Sequence, residues 1–280
     1  IQRPYGIIAN PAIEPKSIFI SAFATAPLAA VPEFAFKDEI EDIQTGVNAL
    51  AKLTNGGVHF SLSSENYSGT PLHKIENVIQ HVFSGKHPAG NVGVQISHIS
   101  PIMKGDTVWT VSLLLVAAIG KLFNTGKYDM TRKVAVTGPK AIDPSYVDAL
   151  PGIAMKDLKE FYDNSANDLR FISGDVLTGE SVGENGFLGF FDNQVTFLHE
   201  GTEREVLGMS DVYSKVLPMD IYPVYLAKAC LAGDIDKMEK FGIYEVLPED
   251  LALCEYVDPS KNDIQEMIQK GIDLMLKEMA

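Results

Sequence analysis

Cysteine is scarce in this 280-residue sequence, which contains only Cys230 and Cys254. An iron–sulfur cluster needs about four thiolates, and a structural zinc site needs four closely spaced Cys or His ligands. The two cysteines are 24 residues apart, and the six histidines form no HExxH or HxxxH pattern. We therefore expect no metal centre in this chain, and we interpret both cysteines as reduced packing residues of a reducing compartment.

Basic residues are a minority, because 23 Lys and Arg stand against 37 Asp and Glu, for a net charge of −14. Such a chain repels the phosphate backbone of nucleic acids and anionic lipid headgroups over most of its surface. We therefore expect no nucleic-acid partner.

Long apolar runs are also missing. The most apolar stretch, residues 111–120, is about half of the roughly 20 residues that a membrane-spanning helix needs. We expect no transmembrane segment. The sequence begins at Ile1 without a methionine or a signal-peptide pattern, and we interpret it as a cut or processed fragment that lacks an N-terminal portion.

Glycine-rich phosphate-binding loops are absent as well. The pattern G-x-G-x-x-G occurs nowhere, and the first predicted strand-to-helix turn, Ala24-Thr25-Ala26-Pro27, has side chains where a dinucleotide turn needs glycine. Residues 120–127 (GKLFNTGK) resemble a P-loop with one residue too many, followed by Tyr128 instead of Ser or Thr. We interpret them as a helix C-terminus. No nucleophile signature such as G-x-S-x-G is present.

The residues that are present, 46% hydrophobic and 21% charged, are typical of a globular protein of two or three domains. Residues 1–16 carry three prolines and are predicted to be a linker. In residues 17–130, the apolar patterns predict strands at 17–23 and 58–63 and helices at 37–54 and 111–124. Residues 72–83 suit a helix or a strand, and we prefer a strand at their end. This order predicts a Rossmann-like α/β domain with a parallel sheet.

The pattern changes in residues 131–215, where short apolar pieces are separated by Gly, Pro, Asp and Asn. They predict strands at 133–137, 146–150 and 170–173, short helical turns at 155–161, and a hairpin of 187–191 with 194–199. Strands around one short helix indicate a β-grasp module. Residues 216–280 predict a small C-terminal helical domain, with helices at 222–232, at 234–241, from Pro248, and at 262–279.

The loop at residues 84–90 (SGKHPAG) is the best candidate site. It places a titratable histidine, His87, beside Pro88 and near two glycines, and ligands of open α/β sheets bind beyond the carboxyl ends of the strands. The alternative is a tight turn with an incidental histidine, which the physical reasoning alone favours.

Several longer blocks of the sequence point to one family. They are HPAG at 87–90, AIGKLF at 118–123 with TGK at 125–127, ISG at 172–174 with VL at 176–177, LPMDI at 217–221, LAGD at 231–234, EDLALC at 249–254, Val257, and PSK at 259–261. In this order they resemble the A subunit of the sodium-translocating NADH:quinone oxidoreductase, and the resemblance covers nearly the whole chain.

This resemblance implies a peripheral subunit on the cytoplasmic face of the inner membrane, with a membrane-embedded subunit for its main partner. The complex passes electrons from NADH to quinone and exports sodium, and it is expected to use FAD, FMN and iron–sulfur centres. Related subunits of complex I and of the Rnf complex bind FMN at a glycine-rich turn and a 4Fe-4S centre through cysteines. Both features are missing here, so we expect no cofactor in this chain. A lipoyl/biotinyl-carrier-like N-terminal domain of the full subunit is also missing.

The family implies quinone chemistry, for which our candidate residues are His87, Pro88 and Gly90 of the loop and Phe19 and Phe23 at the end of the first strand. His87 can donate a hydrogen bond to a quinone carbonyl near neutral pH. Two alternatives stay open at this point. The chain is otherwise a flavin- or NADH-binding electron-input subunit of a complex I-like or Rnf-like enzyme, or it is a pure scaffold without a small ligand.

Overall fold

A five-stranded sheet occupies the first part of the chain in a computed structural model, which describes residues 1–65, 67–163, 169–200, 212–258 and 261–279. Parts of the predicted β-grasp range, and Pro259 and Ser260 of the family blocks, lie outside the described residues. The strands are β1 (Gln2–Arg3), β2 (Ile18–Ser21), β3 (Val58–Ser63), β4 (Ile79–Phe83) and β5 (Val108–Thr110). Their order in the sheet is β1-β5-β2-β3-β4.

Strands β2 to β5 are parallel, as the alternation of strands and helices predicts. The connecting helices are α1 (Pro32–Ala35), α2 (Ile40–Leu50), α3 (Val92–Ile99) and α4 (Leu113–Thr125), with a 3-10 helix at Pro71–Lys74. The ambiguous segment 72–83 thus divides into a 3-10 turn and strand β4. The predicted Rossmann-like parallel sheet is confirmed.

Helices α2 and α4 pack together over one face of the sheet. Residues Ile43, Val47 and Leu50 form the buried stripe of α2, at the helical spacing seen in the sequence. The two backbones approach closely at glycines: a Cβ on Gly120 would lie 1.6 Å from the carbonyl oxygen of Asp42. Only glycine allows this contact, so the packing of the two helices depends on it.

The predicted linker contains a strand. Gln2 and Arg3 form β1, which pairs antiparallel with Trp109 and Val108 of β5 at the edge of the sheet. The side chain of Arg3 is buried. A strand of two residues has too little periodicity to be visible in the sequence, and its partner is more than 100 residues away.

A second sheet follows, with β6 (Arg132–Thr137), β7 (Ser145–Ala149), β8 (Leu169–Ser173), β9 (Glu180–Ser181) and β10 (Gln194–His199). Its order is β7-β6-β10-β8-β9, in which the neighbours β6 and β10 are parallel and the other pairs are antiparallel. A 3-10 helix at Met155–Leu158 packs on this sheet through the buried side chains of Met155 and Leu158. This is the predicted β-grasp arrangement.

The predicted hairpin of 187–191 with 194–199 is wrong. Strand β10 pairs with β6 and β8 instead, and residues 187–191 form a loop in which Phe187 makes an isolated bridge to Ala154. Asp192 and Asn193, which suggested a two-residue turn, lead from this loop into the middle of the sheet.

The C-terminal part is helical, as predicted. It contains 3-10 helices at Tyr213–Lys215 and Pro248–Leu251, and helices α5 (Pro223–Ala232), α6 (Ile235–Phe241), α7 (Ala252–Val257) and α8 (Ile264–Met279). Gly233 and Gly242 end α5 and α6 in the left-handed conformation, at φ 66° and 102°. Within the described ranges, no helix combines the length and the apolar character needed to cross a bilayer.

The three units contact one another through buried polar groups. The backbone N–H of Ala30 donates to Gln194 Oε1 (2.9 Å), which joins the first sheet to the second. Arg3 Nη1 lies 3.0 Å from Asp250 Oδ2, and Nη2 lies 2.7 Å from Glu249 Oε1. The Arg3 and Asp250 side chains are both almost fully buried, so this ion pair fixes β1 to the helical unit.

Candidate functional site

A cavity of about 260 Å³ lies at the carboxyl ends of β2, β3 and β4. Parallel strands place their carboxyl ends at one edge of a sheet, which is where ligands of open α/β folds bind. The cavity is lined by Phe23–Ala26, Leu28–Glu33, Ser63, Glu65, Phe83 and Gly85. Its position agrees with the ligand edge expected from the predicted strand order.

Two aromatic side chains form part of the cavity wall. Phe23 follows β2, Phe83 is the last residue of β4, and their ring centroids are 6.4 Å apart with an interplanar angle of 23°. Phe23 is buried, whereas Leu28 on the rim is half-exposed. This wall offers an apolar, nearly parallel pair of rings to a planar ligand.

The loop that contains His87, Pro88 and Gly90 packs against the end of β2. Thr25 Oγ1 accepts a hydrogen bond from the Gly90 N–H (2.9 Å) and lies 3.2 Å from His87 Nδ1. A Cβ on Gly90 would lie 2.8 Å from the Thr25 nitrogen, so a larger residue would push the loop away. The structure thus brings these loop residues to Thr25, which itself lines the cavity.

His87 is held as a neutral imidazole, because burial lowers its pKa and Asp175 opposes that shift only in part. Thr25 Oγ1 already accepts a hydrogen bond from Gly90, so its own proton is available to His87 Nδ1. This arrangement favours the tautomer that carries its proton on Nε2. That nitrogen is buried and has no hydrogen-bond partner among the described residues.

The other two candidates occupy different positions. Pro88 is buried within the loop. Phe19 is 1% exposed, packs with Ile96, Ile102 and Val108, and stacks on His59 at 4.6 Å, so its side chain is not part of the cavity wall. The sequence reasoning missed Phe83 and Leu28, and the position of Phe83 at the end of a predicted strand was the one signal that could have identified it.

The cavity does not fit a flavin phosphate. Phosphate groups bind where helix N-termini present backbone N–H groups, but the first turn of α1 contains Pro32, which has none. The turn after β2 carries the side chains of Ala24, Thr25 and Ala26 where a phosphate would need bare backbone.

Metal ligands are not grouped in the part of the chain that the structure describes, which contains no cluster of three or more His, Cys, Asp or Glu suited to a metal ion. Cys230 and Cys254 are buried thiols in the helical unit.

The fold is that of a three-unit α/β protein: a Rossmann-like sheet, a β-grasp module and a helical unit. A solved structure with a similar fold is an NAD⁺-reducing [NiFe]-hydrogenase in the H₂-reduced state, with a TM-score of 0.52 and 10% sequence identity. The match covers 96% of this chain and 55% of the hydrogenase chain. At this identity the likeness concerns the fold alone.

Sequence comparison identifies the family. The family model described as the NqrA second alpha/beta domain matches residues 1–128. The proteins named as the A subunit of Na(+)-translocating NADH-quinone reductase are 31% identical in Rhodopirellula baltica and 32% identical in Histophilus somni, over 99% of this chain and 69% and 70% of theirs. The Alcanivorax borkumensis protein of the same name is 33% identical over 96% of this chain and 68% of its own length. The chain belongs to this family of A subunits, which confirms the resemblance predicted from its sequence blocks.

Proposed function

We propose that this chain is a peripheral, cofactor-free subunit of a sodium-translocating NADH:quinone reductase, which docks on a membrane-embedded partner and contacts the quinone head group. The family supports the coarser part of this proposal, because the relatives are named as subunits of an NADH-quinone reductase that moves sodium. A subunit of such an oxidoreductase takes part in electron and ion transport, and it has the other subunits as partners.

The quinone contact rests on one observation, the buried Nε2 of His87 that lacks an acceptor among the described residues. A buried donor without a partner costs free energy of about 1–3 kcal/mol. A carbonyl oxygen of a quinone would satisfy it, while Phe23 and Phe83 provide an apolar wall for the ring. Pro88 and Gly90 hold the loop against Thr25, and Phe19 supports β2 from its other side.

The size and charge of the cavity limit the ligand to a quinone head group. At about 260 Å³ it lies near the lower limit of ligand pockets, which are commonly about 300–1,000 Å³. Glu33 and Glu65 on its lining also make it unfavourable for an anionic nucleotide. The isoprenoid tail would extend beyond the cavity, toward the membrane-embedded partner.

We place this chain at the cytoplasmic face of the membrane. Both thiols are buried and unpaired, as in proteins of a reducing compartment. Its net charge of −14 disfavours direct adsorption to anionic lipid, which supports attachment through a protein partner.

The division into 17–130, 131–215 and 216–280 is part of the same proposal, with 1–16 joined to the first domain through β1. Three buried apolar clusters support it, one in each range. Limited proteolysis should cut first near residues 130 and 215, and early cuts within β3 or α8 would contradict this division.

Photo-crosslinking of the assembled complex with a quinone analogue tests the quinone contact. We expect labelled peptides that contain Phe23, Phe83 or His87, and excess unlabelled quinone should prevent the labelling. Labelling confined to other subunits would overturn the contact and leave a pure scaffold. Saturable micromolar binding of FMN or NADH to the purified chain would overturn the cofactor-free assignment and favour the electron-input alternative.

A further inference from the structure

Three phenylalanines are exposed in a single loop of the β-grasp module. We call residues 187–191 (Phe187, Leu188, Gly189, Phe190 and Phe191) the Phe loop. Phe187, Phe190 and Phe191 are 60%, 46% and 57% exposed. Loops at a protein surface are usually polar, and clustered apolar exposure of this kind marks interaction sites.

The backbone of the Phe loop is fixed by buried polar groups. Arg132, which is 2% exposed, donates from Nη1 to the Phe190 carbonyl (2.7 Å) and from Nη2 to the Gly189 carbonyl (3.1 Å). Ser173 Oγ accepts the Gly189 N–H (2.8 Å) and donates to Asp192. The loop is therefore anchored at its centre by side chains of β6 and β8.

An apolar anchor adds to these hydrogen bonds. Leu188 is 2% exposed and packs in the core of the β-grasp module, while its carbonyl accepts the Gly152 N–H (3.0 Å). Leu150, near this contact in the chain, is 58% exposed. The three phenylalanine rings are thus presented on a fixed backbone, which is how aromatic hot spots gain affinity at low entropic cost.

The charges around the Phe loop indicate what covers it. Residues 171–200 contain five acidic residues and no Lys or Arg: Asp175, Glu180, Glu184, Asp192 and Glu200. An anionic lipid surface would be repelled by this segment, because insertion of aromatic side chains at a membrane is normally supported by basic residues. A protein surface with an apolar groove and a basic rim is complementary to it.

We propose that the Phe loop is a docking element that inserts Phe190 and Phe191 into an apolar, basic-rimmed groove on another subunit of the reductase. This inference rests on the proposed function, because it assumes that the chain assembles with the other subunits. It goes further in naming the surface that docks and the chemistry of the surface that receives it.

The test measures binding of the complete subunit to the remaining reductase subunits, immobilised after purification without it. We expect the double variant Phe190→Ser/Phe191→Ser to raise the dissociation constant by at least about tenfold, since truncating central aromatic anchors costs more than about 1 kcal/mol each. Glu180→Lys, beside the loop in sequence, should slow association several-fold, because it opposes a basic rim. Circular dichroism should show that both variants fold.

The matched control is Leu122→Ser/Phe123→Ser, which removes two exposed apolar side chains of α4. We expect it to bind as the unmodified subunit does. Equal loss in both double variants, or no loss in either, would overturn the Phe loop as the docking element while leaving assembly itself intact. Failure of the unmodified subunit to bind would instead contradict the proposed function.

A vesicle experiment separates the two possible receiving surfaces. The unmodified subunit is sedimented with vesicles of phosphatidylethanolamine and phosphatidylglycerol, and we expect it to stay in the supernatant. Binding to vesicles that the Phe190→Ser/Phe191→Ser change abolishes would show that the loop receives lipid, and it would overturn the protein groove.

Discussion

His59 Nδ1 lies 2.8 Å from His81 Nε2, so that two histidines of the neighbouring strands β3 and β4 share a hydrogen bond. Their rings are stacked, with centroids 5.1 Å apart and an interplanar angle of 18°. Burial lowers the pKa of both imidazoles, and for His59 the charge of His81 lowers it further. The pair therefore resists protonation in the folded protein.

This pair predicts a loss of stability in mild acid. Because the folded-state pKa values lie below the ordinary value, the unfolded chain binds more protons as the pH falls below about 6.5, and the free energy of unfolding decreases. Between about pH 7.5 and pH 5.5 the variant His59→Gln/His81→Gln should lose less stability than the unmodified protein. Urea unfolding at both pH values measures this difference, and an identical pH dependence would contradict the prediction.

The buried ion pair of Arg3 and Asp250 predicts a large effect of removing one partner. Arg3→Gln leaves the Asp250 carboxylate buried without its cation, which should lower the free energy of unfolding by about 3–5 kcal/mol. Lys16→Gln breaks the exposed pair with Asp106 and should cost at most about 1 kcal/mol. Urea unfolding compares the two variants, and similar losses would show that burial does not determine the effect.

Gly120 predicts a steric effect at the contact of α2 and α4. Since a Cβ would lie 1.6 Å from the Asp42 carbonyl oxygen, Gly120→Ala should force the helices apart and lower the melting temperature, at a cost of about 1–3 kcal/mol or more. Leu122→Ala, at a partly exposed position of the same helix, should have a small effect. Calorimetry distinguishes them, and a stabilising Gly120→Ala would mean that the helices do not approach this closely.

His87→Ala predicts a functional effect without a structural one. The assembled complex should show a higher KM for quinone or a lower turnover, because the Nε2 donor is lost, while the melting temperature of the subunit changes little. His199→Ala, at the exposed end of β10, is the control and should leave both unchanged. Unaltered quinone kinetics in His87→Ala would remove this residue from the quinone site.

The two thiols predict resistance to alkylation. Burial raises the pKa of Cys230 to about 11 and that of Cys254 to about 12, and only the thiolate reacts. Iodoacetamide at neutral pH should modify neither in the folded protein and both in urea, as mass spectrometry can measure. Rapid modification of either cysteine in the folded protein would show that the helical unit opens.

Elements that depend on local sequence could be predicted. The stripe of Ile43, Val47 and Leu50 locates α2, and Ser112 and Gly126, which cap α4 through a side-chain hydrogen bond and a left-handed turn, lie at the predicted ends of that helix. Helix α3 and strand β5 were missed. Both are short, and α3 has buried residues beyond one face, so the helical period is weak.

The candidate site shows the same division. The position of the loop at 84–90 beyond a strand follows from the chain order, but its contact with Thr25 joins residues 62 positions apart. The pairing of Phe23 with Phe83 depends on β2 and β4 ending at the same edge with β3 between them. No pattern within the sequence alone encodes such register, and it also decides that Phe19 faces α3.

The pairing of Arg3 with Asp250 has a consequence for biosynthesis. The two residues are 247 positions apart, so at about 5–20 residues per second a ribosome needs roughly 12–50 s to make the second after the first. During that interval the positive charge of Arg3 has no carboxylate to receive it, and the edge of the first sheet stays incomplete. The oldest part of the nascent polypeptide therefore reaches its final state only near the end of translation, and it is the part that most needs chaperone protection until then.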